Sequence, residues 1–213
     1  MIKAVIFDKD GVLIDSEDTH AKSTVKAFGD FGIELTADEL KSIVGASPVD
    51  YMPIFAEKYN ISTARLSELK IFKKKIYYEI LQSAPIFHKT IELLKKLHEK
   101  KLPIALCTQG SKQNTEITLD LIAVQDYFNC IVTREDCTRR KPDPEPYLTT
   151  AMKLGLEPED CLVIEDSEVG LKSALSAGMK CIVIRNDYTR AQNFVGALQV
   201  VDSADEIQLE EIL

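Results

Sequence analysis

Asp8 and Asp10 stand one residue apart directly after the apolar run 2–7, and Gly11 follows them. Two carboxylates in so small a space raise each other's pKa unless a cation or a reaction uses them. Taken alone, the segment also reads as a surface turn, because Asp and Gly are turn formers. Three more polar groups follow apolar runs further along: Thr108-Gln109-Gly110-Ser111, then Arg139-Arg140-Lys141-Pro142-Asp143-Pro144, then Glu165-Asp166-Ser167-Glu168-Val169-Gly170. Each has an ordinary structural role available, such as turn, surface lysine or helix cap. Together they bring carboxylates, a hydroxyl, an ammonium and further carboxylates into one ordered series.

The elements that must position this series are legible. Runs 2–7, 103–107, 130–133, 161–164 and 181–184 are short and rich in Ile and Val. They lack polar alternation, which predicts strands covered on both faces. Helical segments are predicted between them at about 88–101, 111–124, 143–155 and 167–178. Asp143-Pro144 and Ser167 are start signals; Gly155 and Gly178 are stop signals. Strand–helix alternation of this kind predicts an α/β fold, a doubly wound, Rossmann-like parallel sheet with right-handed crossovers. In such a sheet ligands bind beyond the carboxyl ends of the strands, where all four polar groups fall.

Residues 15–84 break the alternation. Helical patterns are predicted at about 17–31, 36–43, 48–59 and 62–83, the last with an apolar stripe of Leu66, Leu69, Phe72, Ile76 and Ile80. Residues 1–14 and 85–213 are therefore expected to form the core, and 15–84 an inserted helical cap with joints near 14–16 and 83–85. Lys73-Lys74-Lys75 reads as a solvated helix face.

Lys and Arg total 26 against 34 Asp and Glu, a formal net charge of −8 over 213 residues. That balance argues against nucleic-acid or anionic-membrane partners. No apolar stretch approaches the ~20 residues of a membrane span, and the N-terminus enters a strand with no room for a signal peptide. Five cysteines without a C-x-x-C predict a reduced, zinc-free, cytoplasmic protein. A monomer is compatible with the chain.

The segments FDKDGVLID, LCTQGS, RRKPDPEPY and VIEDSEVG, in that order, resemble the haloacid dehalogenase superfamily, specifically its phosphatase branch with a helical cap after the first motif. The resemblance covers nearly the whole chain. It implies that Asp8 is a nucleophile forming an aspartyl-phosphate, and that Asp10 is the acid for the leaving alcohol and then the base for water. Thr108 and Lys141 would hold the phosphoryl oxygens. Mg²⁺ would be bound by Asp8, the Asp10 backbone carbonyl, Glu165 and Asp166. Gly11, Gln109 and Gly110 would line the substrate site, with His20, Gly45, Ala46, Ser47 and Lys75 from the cap. Phosphoryl transfer requires mainly positioning and charge neutralisation, so an anionic cluster needs a metal and a lysine beside it.

Asp10 speaks against dehalogenation, which needs no leaving-group acid, and nothing marks a Schiff-base lysine for phosphonate hydrolysis. The rival within the resemblance is a β-phosphoglucomutase-like mutase, which matches around Asp15 to His20. Such mutases grip a second phosphate with a cap-loop arginine, where this chain has Pro48; Arg65, the cap's sole arginine, lies on another helix. A bidentate guanidinium is not replaced by lysine. The expectation is thus a Mg²⁺-dependent phosphatase of small phosphorylated metabolites, ahead of a mutase, and ahead of a non-catalytic binding protein on the same fold.

Overall fold

The structure, a computed structural model, describes residues 1–43 and 48–208. The chain divides into two compact units: Met1–Ile14 together with the chain from Ile86 onward, and Asp15–Pro85.

In the first unit the apolar runs become parallel strands: β1 (Ala4–Phe7), β2 (Ile104–Cys107), β3 (Cys130–Val132), β4 (Cys161–Glu165), β5 (Lys180–Ile184), and a short edge strand, β6 (Gln199–Val201). Their order is β3-β2-β1-β4-β5-β6. Phe7 lies beside Leu106 on one side and Ile164 on the other, so the ends of β1, β2 and β4 are level. Side chains alternate between two buried layers, as the pleat requires. Val5, Phe7, Ile104, Leu106, Leu162 and Ile164 join Leu93, Leu94 and Leu97 of the helix His88–Glu99. Ala4, Ile6, Cys107, Val163 and Cys181 meet Tyr147 and Ala151 of a second helix, Glu145–Leu154, and Leu171 and Ala174 of a third, Glu168–Ser176. The fold is a Rossmann-like α/β sandwich. Burying a strand on both faces is what a short Ile/Val-rich run allows.

The helix-end signals operate as expected. Asp143 Oδ1 accepts from the Glu145 backbone N–H at 2.9 Å, Gly155 ends that helix in the left-handed region, and Ser167 Oγ accepts from Gly170 N–H at 3.1 Å.

The second unit consists, among its described residues, of helices α1 (Glu17–Asp30), α2 (Ala37–Ile43), α3 (Pro48–Lys58) and α4 (Thr63–Leu81). Phe28, Met52, Phe55, Leu69 and Ile76 form its own apolar centre. At the joint, Ile14 and Ile86 make an antiparallel bridge, Phe87 N–H donates to Leu13 at 3.1 Å, and Asp15 N–H donates to Pro85 at 2.8 Å. All five cysteines are free thiols. No helix among the described residues is long and apolar enough to cross a membrane.

Candidate active site

The level ends of β1, β2 and β4 set Asp8, Thr108 and Glu165–Asp166 along one edge, where the strand order reverses about β1. Asp8 is held there by its own backbone, its N–H donating to Ile164 at 2.9 Å, and Thr108 N–H donates to Val132 at 3.0 Å. Lys141 reaches the same point from the loop after β3. Its buried ammonium donates to Asp8 Oδ1 and Glu165 Oε1, both at 2.7 Å, to the Cys107 carbonyl at 3.0 Å and to the Tyr147 hydroxyl at 2.9 Å. Burial disfavours the ammonium, but the charges of Asp8 and Glu165 outweigh it and hold the Lys141 pKa well above its ordinary value.

The three carboxylates differ in what they have left to offer. Glu165 Oε1 accepts from Lys141 and from the Tyr147 hydroxyl at 2.7 Å. Its Oε2 accepts from Asp166 N–H, Ser167 N–H and Ser167 Oγ at 3.0–3.2 Å. Burial opposes the ionised form of Glu165, yet these donors lower its pKa. Five protein donors thus converge on this side chain, one of those expected among the metal ligands. Gly170 makes room for it, since a Cβ there would overlap the carboxylate.

Asp8 is held through Oδ1 alone, and among the described residues nothing donates to its Oδ2. Burial raises its pKa to about 7, with Glu165 and Asp10 adding to the shift and Lys141 opposing it. Asp166 is held through Oδ2 by the Asn186 amide at 2.8 Å, and its Oδ1 has no described donor. Burial, then the charges of Glu165 and Asp8, raise its pKa well above the ordinary value. Two buried carboxylates within electrostatic reach, each with one oxygen turned to no donor among the described residues, are short of positive charge.

Gly11 has φ +79, and a Cβ there would overlap Asp166 Oδ2, so glycine is required both for the turn and for the approach of the two loops. Asp10 is partly exposed and its Oδ1 accepts from Lys9 at 2.7 Å. Lys9 itself is fully buried, its Cε close to the position a Gly110 Cβ would take. Thr108 is buried, and its Oγ1 accepts from Gly110 N–H at 3.0 Å. Gln109 is exposed, its amide donating to the Lys141 carbonyl at 3.5 Å.

The remaining expected residues belong to the helical unit. His20 on α1 packs against Tyr77 of α4 with ring centroids 4.4 Å apart. Lys75 is exposed; the lysine carried inward is Lys73, 5% exposed, with Nζ 5.7 Å from the Tyr77 ring centroid. Burial lowers the Lys73 pKa to about 8, partly offset by Glu17. The run 73–75, read as a solvated face, therefore has one buried member. Gly45, Ala46 and Ser47 lie outside the described residues. Sequence reasoning also missed Tyr147, whose partner Glu165 is distant in sequence, and Asn186, which reads as an ordinary turn former after β5. For Lys73 a signal existed: it shares the helical phase of Leu69 and Ile76.

The edge where the strand order of this parallel sheet reverses thus carries three buried carboxylates, a buried ammonium and a hydroxyl. A family model described as haloacid dehalogenase-like hydrolase matches residues 5–184. The chain belongs to that family, as an enzyme of its phosphatase group. A phosphorylated carbohydrates phosphatase of Thermotoga maritima is 30% identical over 184 residues, 85% of this chain and 84% of that one. The solved structure of β-phosphoglucomutase from Clostridium difficile is similar with a TM-score of 0.81 at 27% identity, covering 100% of this chain and 96% of that one. CbbY from Rhodobacter sphaeroides, solved in complex with phosphate, has a TM-score of 0.83 at 23% identity, covering 97% and 96%, a likeness of fold alone.

Proposed function

We propose that this enzyme hydrolyses small phosphate monoesters in two steps through a phosphorylated Asp8, with Mg²⁺ at the same edge. The observation that carries the reading is the state of Asp8: Lys141 fixes Oδ1 at 2.7 Å, and Oδ2 is left clear of every described donor. Asp8 attacks phosphorus through that oxygen, splitting one difficult displacement into two easier ones. Asp10 gives a proton to the departing alcohol and then takes one from the water that resolves the acyl phosphate. Lys141 and the Thr108 hydroxyl stand against the phosphoryl oxygens and neutralise their charge.

The donor set fits Mg²⁺. Among the described residues no three His, Cys, Asp or Glu side chains form a ready-made metal cage. Mg²⁺ does not require one, since it commonly takes one or two carboxylates and completes its shell with substrate oxygen and water. Asp8, Asp166 and the Asp10 carbonyl would hold it, while Glu165 anchors Lys141. When bound, the ion supplies the positive charge that lets a phosphate dianion approach buried carboxylates.

The helical insertion 15–84 is proposed as the substrate-selecting cap. Sugar phosphates, phosphoglycolate and nucleoside monophosphates suit such an element, and the phosphorylated-carbohydrate relative favours the first. A cytoplasmic setting accords with five unpaired thiols. The mutase reading, suggested by the β-phosphoglucomutase likeness, has less support. Arg65 donates to the Phe31 carbonyl at 3.2 Å and lies over the Phe31 ring, so it is engaged in its own unit's packing. The test is a phosphate-release screen over small phosphate esters with Mg²⁺, with glucose 1-phosphate isomers also followed for glucose 6-phosphate. Net phosphate release is expected; isomerisation outrunning hydrolysis would overturn the assignment.

A further inference from the structure

The loop after β5 has no part in the reading above, yet it is built onto the catalytic edge. Asn186 Nδ2 donates to Asp166 Oδ2 at 2.8 Å. The amide cannot turn round to offer its oxygen instead. Oδ1 already accepts from Tyr188 N–H at 3.0 Å, Thr189 N–H at 3.1 Å and Thr189 Oγ1 at 3.2 Å, while Asn186 N–H donates to Thr189 Oγ1 at 3.1 Å. Three donors on one face of the amide assign its oxygen and nitrogen unambiguously. The following stretch is strapped to the turn after β4: Glu168 N–H donates to Gln192 Oε1 at 2.7 Å, and Asn193 N–H donates to Glu168 Oε2 at 3.1 Å. Gly11 closes the other side of Asp166 Oδ2, because any Cβ there would collide with it. One oxygen of this carboxylate is thus enclosed by an amide and a glycine turn, and the other faces no described donor.

We propose that Asn186 is a positioning residue that confines Asp166 to a single oxygen toward a divalent cation, and so sets a preference for Mg²⁺ over Ca²⁺. This deepens the proposed metal site and rests on it. Mg²⁺ demands a compact octahedral shell, whereas Ca²⁺ takes more oxygens and readily uses both oxygens of one carboxylate. A carboxylate whose second oxygen is clamped by an amide cannot give Ca²⁺ that second contact. Outer partners of this kind typically tune metal affinity by 10–100-fold.

The test titrates the substrate-free protein with Mg²⁺ alone and with Ca²⁺ alone, following the backbone amide NMR signals of Gly11, Asp166 and Ser167. Dissociation constants are compared for the parent, Asn186→Ala, Asn186→Asp and Asp166→Ala. Asn186→Asp keeps an oxygen where the three donors converge, so the loop is retained while the donor to Asp166 is lost. Both Asn186 variants are expected to shrink the Ca²⁺/Mg²⁺ ratio of dissociation constants about tenfold or more. A ratio within about twofold of the parent in Asn186→Asp would overturn the inference while leaving the metal site intact. A parent whose signals respond to neither ion, or an Asp166→Ala variant that binds as the parent does, would refute the metal site itself.

Discussion

Replacing Lys141 with Met tests how much of the fold depends on one buried ammonium. The side chain is 3% exposed and donates to four oxygens, two of them on carboxylates. Its removal affects those carboxylates unequally. Glu165 keeps Tyr147, Asp166 N–H, Ser167 N–H and Ser167 Oγ. Asp8 loses the sole donor to its Oδ1 among the described residues. Removing one partner of a buried pair typically costs about 3–5 kcal/mol, because the other charge is left uncompensated. Met offsets part of this by filling the volume without a desolvation penalty, so the lower end, about 3 kcal/mol, is expected at pH 7.5 without divalent cations. Against a total stability of about 5–15 kcal/mol that leaves a folded but weakened protein. Adding Asp8→Asn removes the orphaned charge, and the double variant should regain about 2 kcal/mol over Lys141→Met alone. Urea unfolding followed by circular dichroism measures both. A loss below about 1 kcal/mol, or a double variant no more stable than the single one, would refute the idea that the ammonium serves chiefly to compensate Asp8.

Gly170→Ala should be far worse than an ordinary helix substitution, because its methyl meets the Glu165 carboxylate; about 2–3 kcal/mol of stability and most turnover should be lost, whereas Gly29→Ala, in α1 with open space around it, should leave turnover unchanged. Asp10→Asn should lower kcat by on the order of 10²–10⁴ with the fold retained, and near-normal phosphate release by that variant would remove Asp10 from its acid–base role. For cation-free protein, Asp8 rises from 3.8 to about 7 on folding and Asp166 moves the same way. The folded state then binds more protons than the unfolded one, so the contribution of Asp8 is full below about pH 4 and is lost as pH climbs through about 7, with Asp166 acting in the same direction. Glu165 moves oppositely and acts below its ordinary value. The unfolding free energy from denaturant titration should therefore fall from pH 5 to pH 7.5 without metal, by up to about 1.4 kcal/mol per pH unit for each proton, and flatten when Mg²⁺ is added; a rise across that range would contradict the assignment.

Most of this architecture was legible because its signals are local. Buried parallel strands are short Ile/Val-rich runs, and Asp143, Gly155 and Ser167 mark helix ends through bonds within a few residues. The edge strand β6 was not legible, for only Val201 of its three residues is buried and an exposed edge leaves little apolar pattern. Lys73 was misjudged through composition: three consecutive lysines read as solvent-facing, although the phase of Leu69 and Ile76 places the first of them inward. Glu165 shows a different limit. The resemblance implies a metal ligand there, but its bonds to Tyr147 and Lys141 and the space left by Gly170 are assembled only by the folded chain. Asn186 belongs with it, since nothing within its own loop points to Asp166.

The paired backbone joint has a consequence for how such a chain can diversify. Because Ile14 and Ile86 are bridged and Phe87 bonds back to Leu13, the sheet-bearing unit sees the intervening roughly 70 residues as the contents of one closed loop. Loop-closure entropy grows only with the logarithm of length, so exchanging that segment for a turn of a few residues changes the closure term by about 2 kcal/mol. A stretch a third the length of the chain can be lengthened, shortened or replaced wholesale at little thermodynamic penalty to the strands that carry Asp8, Thr108 and Asp166. Residues 14 and 86 are accordingly the natural seam at which the helical segment can be exchanged while the sheet is kept.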